Sequence, residues 1–386
     1  MRRIGLAVLL STVLLQAATV DDMKRDCVEN HSFGGFKNCV IDLFTGRPVQ
    51  IVAASVVPGG GVAMGLRYTQ LFNKGAWQND FSVTGASSIR AFWFTDAKLT
   101  MTRRPFGVNN TARDRFAVRA FVKTRNLPQL PYYGIGPNTS ITNRVDYEWN
   151  DQQVGATVSN PLSGWLAVGG TLESIWTQVN GISNAPGATQ QPTMLHSEVF
   201  VRPHFGSTPP YVVDYKIGYN WYHDTGTGIY SFSRFITDLN HNLYLERPGG
   251  TIRRDSVLNL RAYFSTSMTS GGNRVPFYFQ ETLGGSDVYG NAALRGFRDY
   301  RFRGPHVVLF QAEYSRRIWG PIGALAFYDA GTVGVQRSDL DLTNLRHSFG
   351  GGLALYLADK IVFKAYIGLG SGEGRHPYFG VPPGVL

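Results

Sequence analysis

The residues best suited to chemistry are arginines, and four of them lie in one short stretch. Residues 291–304 read NAALRGFRDYRFRG, with small, glycine and aromatic residues between the arginines. The stretch is too basic for an apolar core and too rich in glycine for a stable helix. A guanidinium can bind a carboxylate through two parallel hydrogen bonds, a geometry that lysine does not reproduce. The chemistry that these residues predict is therefore ion pairing with a carboxylate.

Two carboxylates further along the chain occupy positions that suit such a pair. In residues 306–320 apolar and polar side chains alternate, which places Glu313 on the polar face. The same alternation in residues 322–335 places Asp329 on the polar face. If this face lines the interior of a barrel, both carboxylates point into it. The apolar faces that define these assignments are Phe310, Ala312 and Tyr314 in the first segment and Ala324, Ala326, Tyr328 and Ala330 in the second.

No arrangement of residues predicts a catalytic site. His223, Asp224 and His241 lie near predicted loops, but no recognised spacing links them to a serine nucleophile. A histidine at the end of a strand is more often an interfacial side chain than a catalytic base. We therefore predict that the protein is not an enzyme, with no catalytic residues, no metal site and no cofactor.

Residues 1–18 predict an export signal. Arg2 and Arg3 form a basic start, residues 4–15 form a short apolar run, and residues 16–18 (QAA) offer a small-residue cleavage site. A buried first helix or a membrane anchor would give a similar run, but this one is short for a spanning helix. The later chain has no apolar run of about eighteen residues. We therefore expect it to enter a membrane only as a closed barrel.

The charge of the chain bears on its partners. The formal charge is +10 at pH 7, and loss of Arg2 and Arg3 with the signal would lower it to about +8. Such an excess can indicate nucleic-acid binding, but an exported chain rarely meets nucleic acid. Lipid phosphates or acidic client proteins are the expected partners instead, and we predict no nucleic-acid partner.

Both cysteines, Cys27 and Cys39, lie in the segment 19–48 that follows the predicted signal. In an exported protein they are expected to form a disulfide, and so small a ring would contribute about 3 kcal/mol of stability. A metal site would also need His31 and a fourth ligand that the local sequence does not supply. We predict the disulfide, in a short periplasmic segment.

From residue 49 onward, polar and apolar residues alternate in segments separated by turn residues, and this period of two predicts strands. A soluble sandwich shows the same alternation. These segments are longer than the roughly five or six residues of soluble strands, and their apolar faces are rich in aromatic residues. We therefore predict that residues 49–386 form a transmembrane antiparallel β-barrel of sixteen strands. The predicted strand cores are residues 50–72, 76–89, 90–102, 113–126, 144–162, 164–179, 193–207, 210–224, 230–248, 253–268, 274–285, 306–320, 322–335, 347–359, 360–371 and 376–386.

One predicted connection, between residues 285 and 306, is about twenty residues long, and loops of that length are usually functional or disordered. It carries the arginine-rich stretch. Its aromatic residues Tyr289, Phe297, Tyr300 and Phe302 predict that it packs against another part of the protein.

Several motifs resemble those of the BamA/TamA family of outer-membrane assembly factors, the bacterial surface antigen barrels, which share one barrel type with the two-partner secretion transporters. The motifs follow the family's order and spacing, and the resemblance covers about 330 residues. They are YYGIGPNTS at 132–140 followed by RVDYEW, LGG at 283–285, LRGF at 294–297, FRG at 302–304 and FYDAGTV at 327–333.

The resemblance implies that the long loop enters from the outside face and folds back into the lumen, where its arginine meets carboxylates on the wall of the following strands. For Arg298, Arg301 and Arg303 two interpretations stay open: a specific contact, or a place in a basic pore or beside lipid phosphates at the rim. Carried over residue by residue, the loop motif is Leu294, Arg295, Gly296 and Phe297, and the wall partners are Glu313, Asp329 and Gly331.

Two features differ from the family. Its assembly factors carry periplasmic repeat domains before the barrel, and we expect segment 19–48 to be too short to hold one. Family barrels usually end in a strand that closes on an aromatic residue, whereas this chain ends PYFGVPPGVL. Pro382 and Pro383 remove two backbone donors there. We predict a short, weakly bonded seam between the first and last strands, and in the family a weak seam is linked to lateral opening.

The resemblance implies a non-enzymatic barrel that assists insertion or translocation of proteins or lipids at the bacterial outer membrane. The expected partners are outer-membrane lipids including lipopolysaccharide, unfolded outer-membrane or secreted clients, and a separate periplasmic protein. The barrel itself is expected to be monomeric. The alternative is a passive anion-selective channel, although a loop packed inside would obstruct it. The lumen-facing cations that favour this alternative are Lys216, Arg261, Lys360 and Lys364.

Overall fold

The alternating sequence forms strands along most of the chain that the structure describes. This structure is a computed structural model, and it describes residues 48–103, 115–206, 211–246, 252–288, 291–357 and 360–380. The predicted signal peptide, the predicted disulfide between Cys27 and Cys39, and the two prolines Pro382 and Pro383 lie outside these residues. Within the described ranges, no helix is both long enough and apolar enough to cross a membrane.

Sixteen strands form one antiparallel sheet in which each strand pairs with its neighbours along the chain. Two strands of three residues form a separate hairpin. The all-β fold and the sixteen strands predicted from the sequence are confirmed. The strands are β1 (Val49–Ser55), β2 (Val62–Lys74), β3 (Trp77–Ser88), β4 (Trp93–Arg103), β5 (Ala117–Tyr132), β6 (Val145–Ser163), β7 (Leu166–Asn180), β8 (Met194–Phe205), β9 (Tyr211–Asp224), β10 (Phe232–Glu246), β11 (Ile252–Met268), the short β12 (Glu281–Leu283) and β13 (Phe302–Gly304), β14 (His306–Trp319), β15 (Ile322–Gly334), β16 (Arg346–Leu357), β17 (Lys360–Gly370) and β18 (Gly374–Gly380).

The agreement in strand number conceals two compensating errors in the predicted segments. The predicted core 50–72 is two strands, β1 and β2, because the chain turns back through Gly59 and Gly61, which have φ angles of 77° and 81°. The predicted core 274–285 is not a strand of the large sheet. Apolar side chains are buried along this segment, including Val275, Phe277 and Leu283. Strands of the large sheet instead expose apolar side chains on their outer face. The segment therefore lies inside the sheet instead of forming part of it.

The strands of the large sheet have an apolar outer face and a more polar inner face. On β7, Leu172 and Trp176 are 57% and 43% exposed, whereas Thr177 on the opposite face is 4% exposed. On β15, Tyr328 is 49% exposed and Asp329 is 0% exposed. This distribution is the inverse of a water-soluble sandwich, which buries its apolar faces. The alternation in the sequence therefore assigned the two faces of β15 correctly.

The connections between strands alternate between two ends of the sheet, and most of those at one end are longer. At the shorter end, residues 164–165 and 320–321 are two-residue turns. We call the other end the loop end. In bacterial barrels the short turns face the periplasm and the long loops face outside. The long connections at the loop end are residues 56–61, 133–144, 181–193, 225–231, 269–305 and 335–345.

The longest connection, residues 269–305, lies on the inner side of the sheet over its described residues, and we call it the lumen loop. Tyr289, which was predicted to pack there, lies outside the described residues. It contains a 3₁₀ helix (Phe277–Phe279) and the β12–β13 hairpin. Two buried apolar clusters hold it in place. The first joins Phe277, Tyr278 and Tyr300 of the loop to Leu127, Tyr147 and Trp149 of β5 and β6. The second joins Leu283, Leu294, Phe297 and Phe302 to Val307, Leu309 and Val333 of β14 and β15.

The first and last strands of the large sheet are its shortest. Each of β1 and β18 has 7 residues, whereas the other strands of this sheet have 11 to 19. Over the described residues β1 pairs only with β2, and β18 pairs only with β17. Pro377 lies within β18 and lacks a backbone N–H, which an edge strand tolerates. The sheet is therefore open between β1 and β18 over its described part, and we call this opening the seam.

Candidate functional site

Arg295 of the lumen loop meets Asp329 on the inner face of β15. The preceding residue, Leu294, has a φ of 55°, which is unusual for a residue with a side chain. At this turn, both the backbone N–H and the guanidinium of Arg295 reach one carboxylate. The N–H donates to Asp329 Oδ2 at 2.9 Å, Nε donates to the same oxygen at 3.0 Å, and Nη2 donates to Oδ1 at 2.7 Å. The guanidinium thus binds the carboxylate through two parallel hydrogen bonds.

The carboxylate of Asp329 is shielded from solvent. Asp329 is 0% exposed, and Arg295 is 4% exposed. Two uncharged side chains complete its hydrogen bonding: Gln311 Nε2 donates to Oδ1 at 3.2 Å, and Ser348 Oγ donates to Oδ2 at 3.4 Å. A buried charge is stable only when it is paired and hydrogen-bonded, because it has lost its contact with water. Docking of the lumen loop therefore supplies the cation that this carboxylate needs.

Glu313 lies between two cations on the inner wall. One carboxylate oxygen accepts a hydrogen bond from Arg295 Nη1, and the other accepts one from Lys364 Nζ on β17. The lumen loop and strands β14, β15 and β17 each contribute one charge, and the two cations balance the two carboxylates. We call Arg295, Glu313, Asp329 and Lys364 the lumen ion cluster. Lys364 was predicted to face the lumen but not to belong to this group.

An aromatic ring supports the guanidinium of Arg295. Arg295 Cζ lies 3.8 Å from the centroid of the Phe327 ring, within cation–π range. Gly350 on β16 makes room for this ring, because a Cβ there would lie 2.6 Å from Phe327 Cζ. Although burial alone lowers the pKa of the Arg295 guanidinium, the Asp329 and Glu313 carboxylates raise it above its usual value. Arg295 therefore remains charged in its buried position.

Gly296 allows the lumen loop to touch the backbone of β17. A Cβ on Gly296 would lie 2.3 Å from the carbonyl carbon of Leu369. Two glycines of β17 face it: a Cβ on Gly368 would lie 2.4 Å from the carbonyl oxygen of Arg295, and one on Gly370 would lie 2.2 Å from that of Gly296. Three glycines thus permit direct backbone contact. Gly296 was predicted from the sequence, but neither glycine of β17 was.

The remaining residues named from the sequence pack around the lumen ion cluster. Leu294 and Phe297 are 0% and 1% exposed and belong to the second apolar cluster. Gly331 leaves space for Leu283 of the lumen loop, since a Cβ there would lie 3.2 Å from Leu283 Cδ1. The structure therefore brings all seven of the loop and wall residues named from the sequence to one region of the inner wall. Phe327, Gly350, Gly368 and Gly370 were not named as site residues from the sequence. Phe327 lies in the FYDAGTV motif, whereas the only sequence signal of the three glycines was inward alternation.

The other three arginines of the lumen loop differ in their surroundings. Arg301 is buried, donates to Thr139 Oγ1 at 2.8 Å and to Thr139 O at 2.6 Å, and also pairs with Glu373. Arg303 is buried and donates to a backbone carbonyl of the lumen loop at 2.6 Å. Arg298 is exposed. The sequence left open whether these arginines make specific contacts or line a basic pore or the lipid rim. Arg301 and Arg303 make specific contacts.

The cations that favoured an anion channel are largely neutralised by neighbouring carboxylates. Three of the four named cations form ion pairs on the inner face, and the side chain of Lys360 lies outside the described side chains. Paired cations attract a passing anion weakly, because the partner carboxylate cancels most of their field. The pairs are Lys216–Glu198, Arg261–Asp238 and Lys364–Glu313.

A cavity of about 400 Å³ remains between the lumen loop and the inner wall of β4 to β10. Its charged lining includes the ion pairs Arg125–Asp151 and Arg234–Glu281. Across the described part of the chain, no group of three or more histidine, cysteine, aspartate and glutamate side chains is arranged to hold a metal ion. Because the lining contains both positive and negative side chains, it favours neither an anionic nor a cationic cofactor.

No protein-family model matches the chain, and no curated protein matches its sequence. Solved structures match its fold. BamA from Haemophilus ducreyi lacking POTRA domains 1-3 is 12% identical with a TM-score of 0.56, and the match covers 86% of this chain and 68% of that one. CdiB from Acinetobacter baumannii is 14% identical with a TM-score of 0.50, covering 88% and 56%. CdiB from Escherichia coli is 13% identical with a TM-score of 0.56, covering 86% and 60%.

These matches concern the fold. The chain has the fold of the BamA and CdiB barrels, so the resemblance in its motifs is confirmed at that level. It spans 68% of the BamA chain and less than two thirds of either CdiB chain.

Proposed function

We propose that this protein is a bacterial outer-membrane barrel that assists the insertion or translocation of other proteins, or of lipids, without catalysing a reaction. The observation that carries the proposal is the open seam beside a filled lumen. Over the described residues, β1 and β18 each leave one edge without a strand partner. An unpaired strand edge presents N–H and C=O groups on which another strand can pair. A client strand therefore has a place to bind at the seam.

The outer surface supports a membrane location. Its exposed side chains are apolar at mid-strand, as Leu172 illustrates. Exposed aromatic residues flank the short-turn end of the sheet, as the interfacial girdle of a membrane barrel does. These are Trp165 at 48%, Phe205 at 42%, Tyr211 at 48% and Trp319 at 76% exposure.

The proposed mechanism is mechanical. The lumen loop fills the loop end of the barrel and is fixed to β15 by Arg295, so clients would enter at the seam rather than through the centre. The partners we propose are outer-membrane lipids including lipopolysaccharide, unfolded outer-membrane or secreted proteins, and a separate periplasmic protein that docks on segment 19–48. The barrel would act as a monomer. An anion channel is not favoured, because the lumen loop occupies the lumen and three of the four cations named for the channel are paired with carboxylates.

A folding assay in liposomes tests this proposal. The purified protein is reconstituted, an unfolded client barrel is added, and the appearance of folded, protease-resistant client is timed against empty liposomes. We expect the protein to accelerate client folding and Arg295→Ala to lose most of that acceleration. Arg298→Ala, which changes an exposed arginine three residues away, is the matched control and should behave as the wild type.

Two results would contradict the proposal. Client folding at the rate of empty liposomes would exclude an insertion function for this client. Steady anion-selective conductance from the same vesicles would indicate that the barrel is used as a pore.

A further inference from the structure

Two hairpins flank the seam, and their tips lie at the loop end of the barrel. The first hairpin consists of β1, β2 and the connection 56–61, and the last consists of β17, β18 and the connection 371–373. Over the described residues no strand pairing joins β1 to β18. A cavity of about 350 Å³ is lined by Gly59 of the first hairpin, by Tyr378 of the last, and by Asp299 and Tyr300 of the lumen loop. The lumen loop thus reaches both sides of the seam.

Tyr300 holds the first hairpin. Its hydroxyl donates a hydrogen bond to the backbone oxygen of Pro58 at 3.0 Å. Its ring is 3% exposed and shares the first apolar cluster with Val57 of the same connection. The tip of the first hairpin is therefore bound to the lumen loop by one polar contact and one apolar contact.

The next residue, Arg301, holds the last hairpin. Its Nε donates to the carboxylate of Glu373, which lies in the tip of that hairpin, and the two side chains are 5% and 11% exposed. Two further donors of Arg301 bind Thr139 in the connection between β5 and β6. The guanidinium also lies 4.7 Å from the ring centroid of Phe302. The last hairpin is thus tied through Arg301 to the connection between β5 and β6.

The backbone at this point is held in place. Tyr300 has a φ of 59°, a conformation that a residue with a side chain retains only where its surroundings enforce it. Its N–H donates to Gly284 O at 3.1 Å. A Cβ on Gly284 would lie 2.6 Å from Arg301 Cβ, so the glycine also makes room for the neighbouring residue. Two consecutive residues can therefore bind opposite sides of the seam.

From these contacts we propose that Tyr300 and Arg301 form a latch that holds the two edge hairpins together at the loop end, in place of strand pairing between β1 and β18. The latch itself rests on the contacts described. Its consequence, control over when the seam admits a client, rests on the proposed function. Releasing either contact would loosen the tip of one hairpin while leaving the lumen ion cluster intact.

Amide hydrogen exchange of the full chain in nanodiscs, with no client present, tests the latch. Tyr300→Phe removes only the hydroxyl, and Glu373→Gln removes only the charge. We expect exchange in β1 and the connection 56–61 to rise about fivefold in the first variant, and exchange in 371–373 and β18 to rise about tenfold or more in the second. Arg298→Gln, at an exposed position of the same loop, is the control and should leave both hairpins unchanged.

Either of two results would overturn the latch. One is unchanged exchange at both hairpins in a variant that combines Tyr300→Phe with Glu373→Gln. The other is an equal rise in β6 to β8 on the far wall, which would mean that the contacts stabilise the whole barrel. Client folding by the same variants is then measured separately. If the variants loosen the hairpins but fold the client at the wild-type rate, the result would count against the proposed function. The proposal that Tyr300 and Arg301 hold the hairpins would still stand.

Discussion

At the scale of single residues, the environment of Asp329 determines how strongly Arg295 holds the lumen loop. The sequence places a carboxylate on the inner wall but does not say whether water reaches it. In the structure Asp329 is fully buried, and three of its hydrogen bonds come from Arg295. Removing the arginine would leave a buried carboxylate without its cation, which is a far larger penalty than losing a surface ion pair.

The first prediction concerns this pair. Arg295→Ala should weaken docking of the lumen loop by about 3–5 kcal/mol, and Arg295→Lys by less, because lysine keeps the charge but not the two parallel hydrogen bonds. Protease cleavage of residues 269–305 during a urea titration measures the effect. Arg298→Ala should change the free energy of loop docking by less than about 0.5 kcal/mol. A midpoint for Arg295→Ala equal to that of the wild type would show that the pair does not hold the loop.

A second prediction at this scale is a pH dependence. Burial raises the pKa of Asp299 in the lumen loop to about 6 from its usual 3.8, although the Ser286 N–H, at 3.1 Å, opposes the shift. The folded protein therefore holds this proton more tightly than the unfolded protein, and stability is lost as the pH rises from about 4 to 6. Asp299→Asn should be more stable than the wild type above about pH 6, with no advantage below about pH 4.

Urea midpoints at several pH values measure this difference. Other groups that line the same cavity, including Arg90, Arg298 and His376, are common to both proteins and largely cancel in the comparison. The control is Asp341, in an exposed connection, whose pKa is lowered by hydrogen bonds from Thr343. Asp341→Asn should show no gain at neutral pH. A difference between Asp299→Asn and wild type that does not change with pH would refute the prediction.

At the scale of elements, glycines decide where the lumen loop can lie. Gly296 and Gly368 allow the loop and β17 to touch along their backbones, where neither side has a flexible side chain that could move aside. The loop and the strand are therefore positioned by shape as well as by charge. Glycine in a strand normally weakens it, so glycines at these positions fit the close approach of another backbone.

The third prediction tests this contact. Gly296→Ala should displace the loop from β17 and reduce its docking by about 1–3 kcal/mol, because the new Cβ would overlap backbone atoms. Gly85→Ala on β3 is the matched control, since its Cβ would meet only Thr95 Oγ1 at 3.9 Å. Exchange of backbone amides in 291–304 is the measurement. Equal protection in both variants would mean that the loop tolerates a wider gap.

At the scale of the whole molecule, the two faces of the sheet differ in polarity, as they would if they contacted different environments. Apolar side chains at mid-strand face outward, while the inner face carries charged side chains, many of them in ion pairs. A membrane explains this arrangement, because lipid replaces the missing outer layer and each described strand of the large sheet pairs with a neighbour on both sides except at the seam.

The fourth prediction compares two adjacent residues of β7 in a bilayer. Leu172→Arg places a charge on the outer face and should reduce the stability of the folded barrel by about 2–4 kcal/mol. Thr171→Arg places the same charge on the inner face, where Glu198 Oε2 lies 3.4 Å from the threonine hydroxyl, and should have little effect. Folded fractions in liposomes across a urea series measure both. Equal losses would argue against a membrane-facing outer surface.

The sequence by itself determined the properties that repeat along the chain. A period of two is local, so it revealed the strands, their faces, the inward placement of Glu313 and Asp329, and a long connection with packed aromatic residues. It could not distinguish a strand of the sheet from segment 274–285. Both are apolar over a short length, and only the space inside the sheet decides between them.

Tertiary structure decided what depends on residues far apart in the chain. The ring of Phe327 beneath Arg295, the glycines of β17 against Gly296, and the pairing of Arg301 with Glu373 each join elements whose spacing leaves no periodic signal. The open seam has the same origin. Whether β1 and β18 pair depends on how fourteen intervening strands curve, and on what the lumen loop holds at their ends. Local alternation specifies the faces of a strand, but only the path of the whole sheet specifies which distant side chains meet.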